Sequence, residues 1–528
     1  MRHFRTQYWA FAIAAKSFLL LTLLFFFAPT AGGQEIGKER TPNEQPDSSD
    51  SFNGWLTHAH DVQHTAVSSV RSQPLHQIIW QTPVDLQPQL SFGELLIHYG
   101  SPLITLKNTV IVPVKTGASD GFRVEARNGS DGSEIWRLNS DYSVPFAGFT
   151  PSFGPVVSKG NIIMPAAGGT VLVRTNADEP IGAEFRLAFY GIDNFRGNPS
   201  LFSDTIKINT PITADQNGNL YFGFIVLGFN PVVAQSGLAR IGADGKSSWV
   251  SAAAASHDFN ITKVNMNCAP ALSKDERFLY VGVDSFDFGF GYLLELDATT
   301  LQTVNQVRLK DPAFDTDATI SDESSATPSV GPDGDVFFGV LENPFPGHND
   351  RGWLLHFSGD LKQRKIPGDF GWDDTAAIVD ASLVPSYHGS SKYLIMTKYN
   401  NYADLGGDGV NKLAVLDPNA SEPDFLFGNP VMNEVLTIKG VTPDPRFPFL
   451  PGAVREWCIN TAVVDPFTKS VLANSEDGKL YRWDLTTNRL SERITLTGGL
   501  GEAYTPTVIG ADGKVYAIND AVLFALGR

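Results

Sequence analysis

TPSVGPDGDVFFGV (327–340) and TPTVIGADGKVYAIND (505–520) share one pattern: a Thr-Pro opening, a short extended segment, an Asp-Gly turn and an apolar strand. Related openings recur eight times, at Ser101–Pro102, Thr150–Pro151, Thr210–Pro211, Ala269–Pro270, Thr327–Pro328, Ser382–Pro385, Thr461–Ala462 and Thr505–Pro506. Repeats of about 40 to 60 residues with about four strands each are typical of a β-propeller. The repeats therefore predict an all-β, eight-bladed propeller of four-stranded antiparallel blades.

Within each unit, the predicted strands become more polar from first to last. Asp-Gly turns join the first two strands, since such turns suit tight antiparallel hairpins. The second strand is apolar, as in FLYVGV (278–283), the third ends in an acidic turn, as in YLLELDATT (292–300), and the fourth is polar, as in LSERITL (490–496). This gradient indicates a blade whose inner strands are packed on both faces and whose outer strand meets water.

Unit eight has only three predicted strands. The segment HQIIWQTPVD (76–85) resembles the fourth strands of the other units, although it precedes unit one. Pairing this segment with VLFALG (522–527) would complete the last blade and remove two exposed sheet edges. We therefore expect the ring to be closed by an N-terminal strand in the last blade.

The first 51 residues have the composition of a targeting segment and a linker. Arg2 and Arg5 precede the apolar run FLLLTLLFFFA (18–28) and small residues at 31–33, which together indicate a signal peptide over 1–33. Residues 34–51 are polar and aperiodic, which predicts a disordered linker before the propeller at 52–528. We expect an exported protein, periplasmic or extracellular, with no stable membrane insertion after cleavage; an uncleaved N-terminal membrane anchor is the alternative.

The net charge narrows the classes of partner, and the cysteine content limits the possible disulfide bonds. The net charge of −17 argues against nucleic acid and anionic membranes as partners. Cys268 and Cys458 are the two cysteines, and they lie near the openings of different units. We expect two buried free thiols, with a disulfide between blades as the alternative, because export permits one. We also expect a monomer.

Long loops point to one face of the predicted ring. Connections between strands two and three, and between successive blades, emerge on the same face, and here they are long, as in LENPFPGHNDRG (341–352) and PGDFGWDDTAAIVDA (367–381). Because long loops on rigid scaffolds often carry function, this face is predicted to bind a protein, peptide or glycan. The alternative is that the loops only cap the channel. Aromatic residues and arginine dominate interfaces, so the candidate binding residues are Trp372, Asp373, Asp374, Tyr399, Tyr402, Phe286, Phe288, Arg455 and Trp457.

The repeats resemble the PQQ-like, eight-bladed quinoprotein propeller superfamily. The resemblance is carried by the TPxxGxDGxVY pattern, by DGSEIW (131–136) and by GWLTHAHDVQHTAVS (54–68), which is similar to the opening signature of many secreted bacterial members. It covers about residues 52–528. Members include dehydrogenases that use pyrroloquinoline quinone (PQQ), outer-membrane assembly scaffolds and exported proteins without known activity.

The resemblance implies a specific alternative, a PQQ- and calcium-dependent dehydrogenase. Such an enzyme needs a quinone stacked on an aromatic ring, a calcium ion held by oxygen ligands and a carboxylate base. Trp372–Asp374 resembles the Trp-Asp segment near the cofactor of those enzymes. The adjacent cysteine pair that covers the quinone in many of them is absent, which argues against PQQ here.

Two other clusters could bind metals. His58, His60 and His64 with Asp61 have spacing that could suit zinc, but they belong to the opening signature, and we expect them to form structural hydrogen bonds. Asp404 and Asp408 stand in a glycine-containing loop whose oxygens could bind Ca²⁺. No firm cofactor and no catalytic residue follow from the sequence.

The sequence favours an exported, non-catalytic propeller that binds its partner through the long-loop face. Two alternatives remain open: the quinoprotein dehydrogenase and a structural cell-surface module.

Overall fold

The computed structural model describes residues 53–90, 95, 98–118, 120–145, 153–322, 324–457, 459–499 and 506–528. The predicted signal peptide (1–33) and linker (34–51) lie outside these ranges, as do Thr150–Pro151, Cys458 and Thr505. Over the described ranges the strands form eight antiparallel sheets, which are the eight blades of the predicted propeller. No helix within these ranges is both long enough and apolar enough to cross a membrane.

The first four blades use successive segments of the chain. Blade one contains Leu103–Ile104, Thr109–Lys115, Phe122–Asn128 and Glu134–Ser140. Blade two contains Val156–Ser158, Asn161–Ala166, Thr170–Arg174 and Glu184–Ala188. Blade three contains Ile206–Ile208 and Thr213–Ala214 on the inside, then Leu220–Val226, Gly237–Ile241 and Ser247–Ser251. Blade four contains Lys263–Val264 and Ala271–Leu272 on the inside, then Phe278–Asp284, Gly291–Asp297 and Thr303–Arg308.

The remaining blades continue the same order. Blade five contains Ser329–Val330, Val336–Val340 and Trp353–Phe357. Blade six contains Ala377–Asp380, Tyr393–Tyr399, Lys412–Pro423 and Pro430–Lys439. Blade seven contains Val463–Asp465, Ser470–Asn474, Lys479–Asp484 and Arg489–Thr495. Blade eight contains Thr507–Ile509, Val515–Asn519, Val522–Gly527 and Gln77–Pro83.

Short helical segments occur in the connections. Within the described ranges, the α-helices are Ile192–Gly197, Pro199–Thr205 and Ala252–Ser256. Single 3-10 turns lie at Ala167–Gly169, Ala381–Leu383 and Ala403–Leu405.

The predicted closure of the ring is confirmed. Gln77–Pro83 pairs antiparallel with Val522–Gly527, which places Trp80 opposite Ala525. The Trp80 indole also donates a hydrogen bond from Nε1 to the carbonyl oxygen of Gly129 over 3.1 Å, which links blade eight to the hairpin of blade one. At Gly132 φ is +75°, and a Cβ would lie 2.6 Å from the Trp80 ring, so glycine is required there for conformation and for space.

Two details of the predicted blades are wrong. The opening of unit six is not Ser382–Pro385, because the inner strand is Ala377–Asp380 and Pro385 lies in the turn that follows it. Blade five has three regular strands, and its outer edge makes only isolated bridges, Leu354 to Gly368 and Phe357 to Arg364. Pro367 interrupts this edge because proline has no N–H to donate to a ladder.

An N-terminal segment, residues 55–73, crosses the inner strands of the ring. Its backbone hydrogen bonds reach seven blades in turn, through the pairs Trp55–Ile104, Leu56–Val157, Val62–Leu272, Gln63–Val330, Thr65–Ile378, Ala66–Val464 and Gln73–Gly513. Most of these contacts lie toward the first hairpin of each blade. The segment therefore ties the blades together on the face that carries the Asp-Gly turns, which we call the short-turn face.

Apolar side chains between neighbouring blades form the core. The glycine in the second strand of blade four shows how close the blades approach, because a Cβ at Gly282 would lie 2.7 Å from the ring of Phe338 in blade five. The VGV and FGV patterns of the second strands thus include a small residue where the next blade packs.

Candidate functional site

The long connections project from the face opposite the short-turn face. Strands alternate in direction within each blade, so the loops between strands two and three share a face with the loops between blades. We call this the long-loop face. It contains all nine predicted binding residues.

Six of the nine predicted binding residues are at most 7% exposed, namely Trp372, Asp373, Asp374, Tyr399, Tyr402 and Trp457. They belong to the connection between blades five and six, to the end of the second strand of blade six and to the opening of blade seven. Buried side chains cannot supply the outer contact surface for a macromolecule. Binding by these six residues stays a prediction. They could contribute only by fixing the shape of the loops.

The buried residues form a polar network at the inner ends of blades five to seven. Lys398 Nζ lies 2.6 Å from Asp373 Oδ2, and Asp374 accepts hydrogen bonds from the Thr397 hydroxyl and the Lys398 backbone. Asn460 donates to the Asp373 carbonyl oxygen over 2.9 Å. The network connects three blades and engages the Oδ2 atoms of Asp373 and Asp374, while Asp373 Oδ1 is buried without a hydrogen-bond partner among the described residues.

Burial changes the ionisation of these carboxyl groups. Burial raises the pKa of Asp373, although the Lys398 ammonium opposes the increase. Burial also raises the pKa of Asp374 to about 7, although the Thr397 hydrogen bond lowers it. A similar cluster lies in blade four, where burial raises the pKa of Asp284 to about 7 despite the opposing charge of Lys263. Raised carboxyl pKa values are common at functional sites, but paired structural networks produce them too.

The other three predicted residues are more accessible. Phe286 is 62% exposed, and Phe288 is half-buried. Arg455 is half-buried, and its Nη1 lies 2.7 Å from Glu476 Oε1, which Arg446 also contacts. The Arg455 guanidinium is therefore held in an ion-pair cluster, whereas the Phe286 ring faces solvent.

Four further exposed rings on the same face were not predicted from the sequence. Among the described residues, the exposed phenylalanines of the long loops are Phe229, Phe259, Phe286, Phe314 and Phe449, which are 76%, 98%, 62%, 47% and 56% exposed. Phe229 and Phe286 lie between strands two and three of blades three and four, respectively. The other three lie between successive blades: Phe259 between blades three and four, Phe314 between four and five, and Phe449 between six and seven. Aromatic residues in these long loops were the signal that could have identified them, and some occur two positions apart, as Phe286 and Phe288 or Phe447 and Phe449 do.

The predicted metal clusters have different environments. In the N-terminal segment, Asp61 accepts hydrogen bonds from Gln63 N and Thr65 N, and the Gln63 side chain donates to the carbonyl oxygens of Leu272 and Ser273. These contacts agree with the structural role expected for this signature. In the glycine-containing loop, Asp408 accepts hydrogen bonds from Asn401 and Val410.

A different group has metal-ligating geometry. Among the described residues, His348, Asp369 and Asp424 are the one set of at least three His, Cys, Asp or Glu side chains whose ligand atoms lie within 4.8 Å of one another. This set excludes Asp404 and Asp408, so a Ca²⁺ site at those two residues remains only a prediction. The sequence signal was weak, because the three residues come from separate connections.

Comparisons with known proteins identify the fold. No protein-family model matches the chain, and no curated protein sequence matches it. A europium-containing methanol dehydrogenase aligns over 88% of this chain and 88% of its own, with 10% identity and a TM-score of 0.53. The quinohemoprotein alcohol dehydrogenase of Comamonas testosteroni aligns over 90% and 81%, with 10% identity and a TM-score of 0.51. One from Pseudomonas putida HK5 aligns over 90% and 76%, with 13% identity and a TM-score of 0.50.

The fold is that of the eight-bladed quinoprotein propellers. At 13% identity or less, the likeness to these dehydrogenases establishes the architecture and not the chemistry.

The Trp372–Asp374 segment does not present an open site for the quinone and cation of a quinoprotein dehydrogenase. In the Trp372–Asp374 segment, the Trp372 side chain is buried. The Asp373 carboxylate is paired with Lys398, and the Asp374 carboxylate is bonded to Thr397. A cation bound to both Asp373 Oδ2 and Asp374 Oδ2 would have to displace the Lys398 ammonium and the Thr397 hydroxyl, whereas Asp373 Oδ1 is buried and has no hydrogen-bond partner among the described residues. A quinone stacked on Trp372, with a cation on both aspartates, would therefore require this segment to rearrange.

Proposed function

We propose that this quinoprotein-type propeller is an exported, non-catalytic binding protein that recognises a protein or peptide through its long-loop face. The supporting observation is that five phenylalanine rings, from Phe229 to Phe449, are 47–98% exposed in the loops of that face. Aromatic rings supply large apolar contact areas and are enriched in the cores of protein interfaces, so several of them exposed on one face support a binding role.

The charge of the protein supports this choice of partner class. The net charge of −17 disfavours polyanionic partners. The apolar rings are separated by polar loops, a distribution suited to a partner that presents several apolar side chains. Export is proposed from the sequence of residues 1–33, and a glycan partner remains the alternative occupant because sugars also stack on aromatic rings.

Site-specific photo-crosslinking tests the proposal. Phe286 and Phe229 are each replaced by p-benzoylphenylalanine, which preserves an exposed aromatic group. Phe185 is the matched control, since it is 46% exposed but lies on the outer strand of blade two. After irradiation in the native cell envelope, we expect the same protein adduct at 286 and 229 and none at 185. Adducts of equal yield at all three positions, or at 185 alone, would contradict the assignment of the face.

A further inference from the structure

Three potential metal ligands converge where three connections meet. His348 lies between strands two and three of blade five, Asp369 lies between blades five and six, and Asp424 lies in the hairpin that joins strands three and four of blade six. His348 Nε2 is 3.0 Å from Asp369 Oδ1 and 3.1 Å from Asp424 Oδ1. All three side chains are buried.

The orientation of the histidine ring determines what Nε2 can do. His348 Nδ1 lies 3.1 Å from the carbonyl oxygen of Gly352, and a carbonyl oxygen only accepts, so Nδ1 carries a hydrogen. In the neutral ring, the Nε2 lone pair then faces two carboxylate oxygens. Three electron-rich atoms in a buried space repel one another unless a proton on Nε2 or a metal ion lies between them. A hydrogen on Nε2 points in one direction and so cannot align with both carboxylate oxygens, whereas a metal ion at the centre contacts all three atoms.

Further hydrogen bonds and an ion pair hold both carboxylates with one oxygen directed at His348. Asp369 Oδ2 is 2.7 Å from Arg351 Nη2 and accepts a hydrogen bond from the Tyr399 hydroxyl over 2.9 Å. Asp424 Oδ2 accepts hydrogen bonds from the backbone N–H groups of Leu426 and Phe427. Each Oδ1 is thereby turned toward His348. Hydrogen-bonded partners of this kind orient the ligands of metal sites.

Aromatic rings enclose the cluster without placing it deep in the core. The His348 ring stacks on Trp353 at a centroid distance of 3.9 Å and an interplanar angle of 8°, and Phe427 lies on another side at 5.6 Å. Phe425 and Phe427, in the hairpin turn that carries Asp424, are 59% and 39% exposed. The cluster therefore lies beneath a hairpin turn whose Phe425 and Phe427 rings are partly exposed.

We propose that His348, Asp369 and Asp424 bind one divalent cation of the first transition row, such as Zn²⁺ or Mn²⁺. One imidazole nitrogen with two carboxylate oxygens suits these ions, whereas Ca²⁺ and Mg²⁺ prefer sites built from oxygen alone. The ion would join the connections of blades five and six to the blade-six hairpin. The site does not depend on the proposed partner binding.

Calorimetric titration of the metal-depleted protein with Zn²⁺ and with Mn²⁺ at neutral pH tests the site. We expect saturable binding of one ion per chain. His348→Gln and Asp424→Asn should each weaken binding by at least about tenfold, and Tyr399→Phe should weaken it by about tenfold through Asp369. His356→Gln is the matched control, because His356 is a buried blade-five histidine whose Nε2 contacts one carboxylate, Asp335, which is already paired with Lys365.

Two results would overturn the metal site. The first is no stoichiometric heat with either ion in the wild-type protein, which would assign His348 to a metal-free ion-pair network. The second is unchanged affinity in His348→Gln, which would place the ion elsewhere. If that variant does not fold, pulsed electron paramagnetic resonance of the Mn²⁺-loaded wild type decides: coupling to one imidazole nitrogen is expected, and its absence excludes His348 as a ligand.

Discussion

His64 Nδ1 lies 2.8 Å from the carbonyl oxygen of Pro328, which is 264 residues further along the chain. The contact joins the N-terminal segment to the opening of blade five, next to the bond from Val330 N to the Gln63 carbonyl oxygen. The His64 ring is fully buried and packs edge-on against His58 at 4.8 Å. The stability of the ring should therefore depend on the charge of this histidine.

We expect acid to destabilise the wild-type protein more than His64→Gln. Burial lowers the pKa of His64 to about 4 from an unfolded value of 6.5, although the Pro328 hydrogen bond opposes this shift. The unfolded chain then binds more protons between these two pH values, so the free energy of unfolding falls as pH drops from about 6.5 to about 4. The change should be on the order of a few kcal/mol.

Thermal melting of both proteins at several pH values within this window measures the difference. Asp284 and Asp374, whose folded pKa values are raised to about 7, act in the opposite direction, because they contribute stability that is lost as pH rises through about 7. Both groups are present in wild type and variant, so their effect cancels in the comparison. If the melting temperatures of the two proteins changed equally with pH, the assignment to His64 would be contradicted.

Removing residues 519–528 should abolish the soluble monomer. The deletion removes the strand Val522–Gly527, which pairs with both Val515–Asn519 and Gln77–Pro83, and so exposes two edges. Size-exclusion chromatography of the soluble fraction measures the result, with the chain that starts at residue 34 as the control. A soluble monomer at wild-type yield would show that the closure is dispensable.

Lys398→Met should destabilise the propeller by about 3–5 kcal/mol, because it leaves the Asp373 carboxylate buried without its cation. Adding Asp373→Asn to the same protein should restore part of the loss, since the uncompensated charge is removed. Denaturant titration of the two single variants and the double variant measures the coupling. Additive losses would mean that the pair contributes no mutual stabilisation.

We expect no saturable heat when the protein is titrated with PQQ in the presence of Ca²⁺, because Asp373 and Asp374 are already engaged by Lys398 and Thr397. Calorimetry and a melting-temperature assay measure this directly. Saturable binding at micromolar ligand, weakened by Trp372→Ala, would instead support the quinoprotein dehydrogenase and contradict the non-catalytic proposal.

Much of the fold was predictable because its signals are local. The Asp-Gly turn at 333–334 and the strand VFFGV after it are specified by neighbouring residues, and the similarity of 76–85 to the outer strands identified the closing strand. The same local reasoning failed at Ser382–Pro385, because a proline after small residues occurs both before an inner strand and in a turn. Only the pairing of Ala377–Asp380 with Tyr393–Tyr399 distinguishes the two cases.

The candidate sites were much less predictable. The exposure of Phe286 and the burial of Trp372 could not be separated in the sequence, since both are aromatic residues in long polar loops. His348 and Asp424 meet across 76 residues, and no local pattern connects them.

The sequence by itself determined the repeat, the number of blades and the closing strand, because turn chemistry and alternation of apolar residues act over a few neighbouring positions. The tertiary structure alone decided which loop residues are buried, which rings face solvent and which ligands converge. Those properties depend on how loops from different blades pack against one another once the ring has closed.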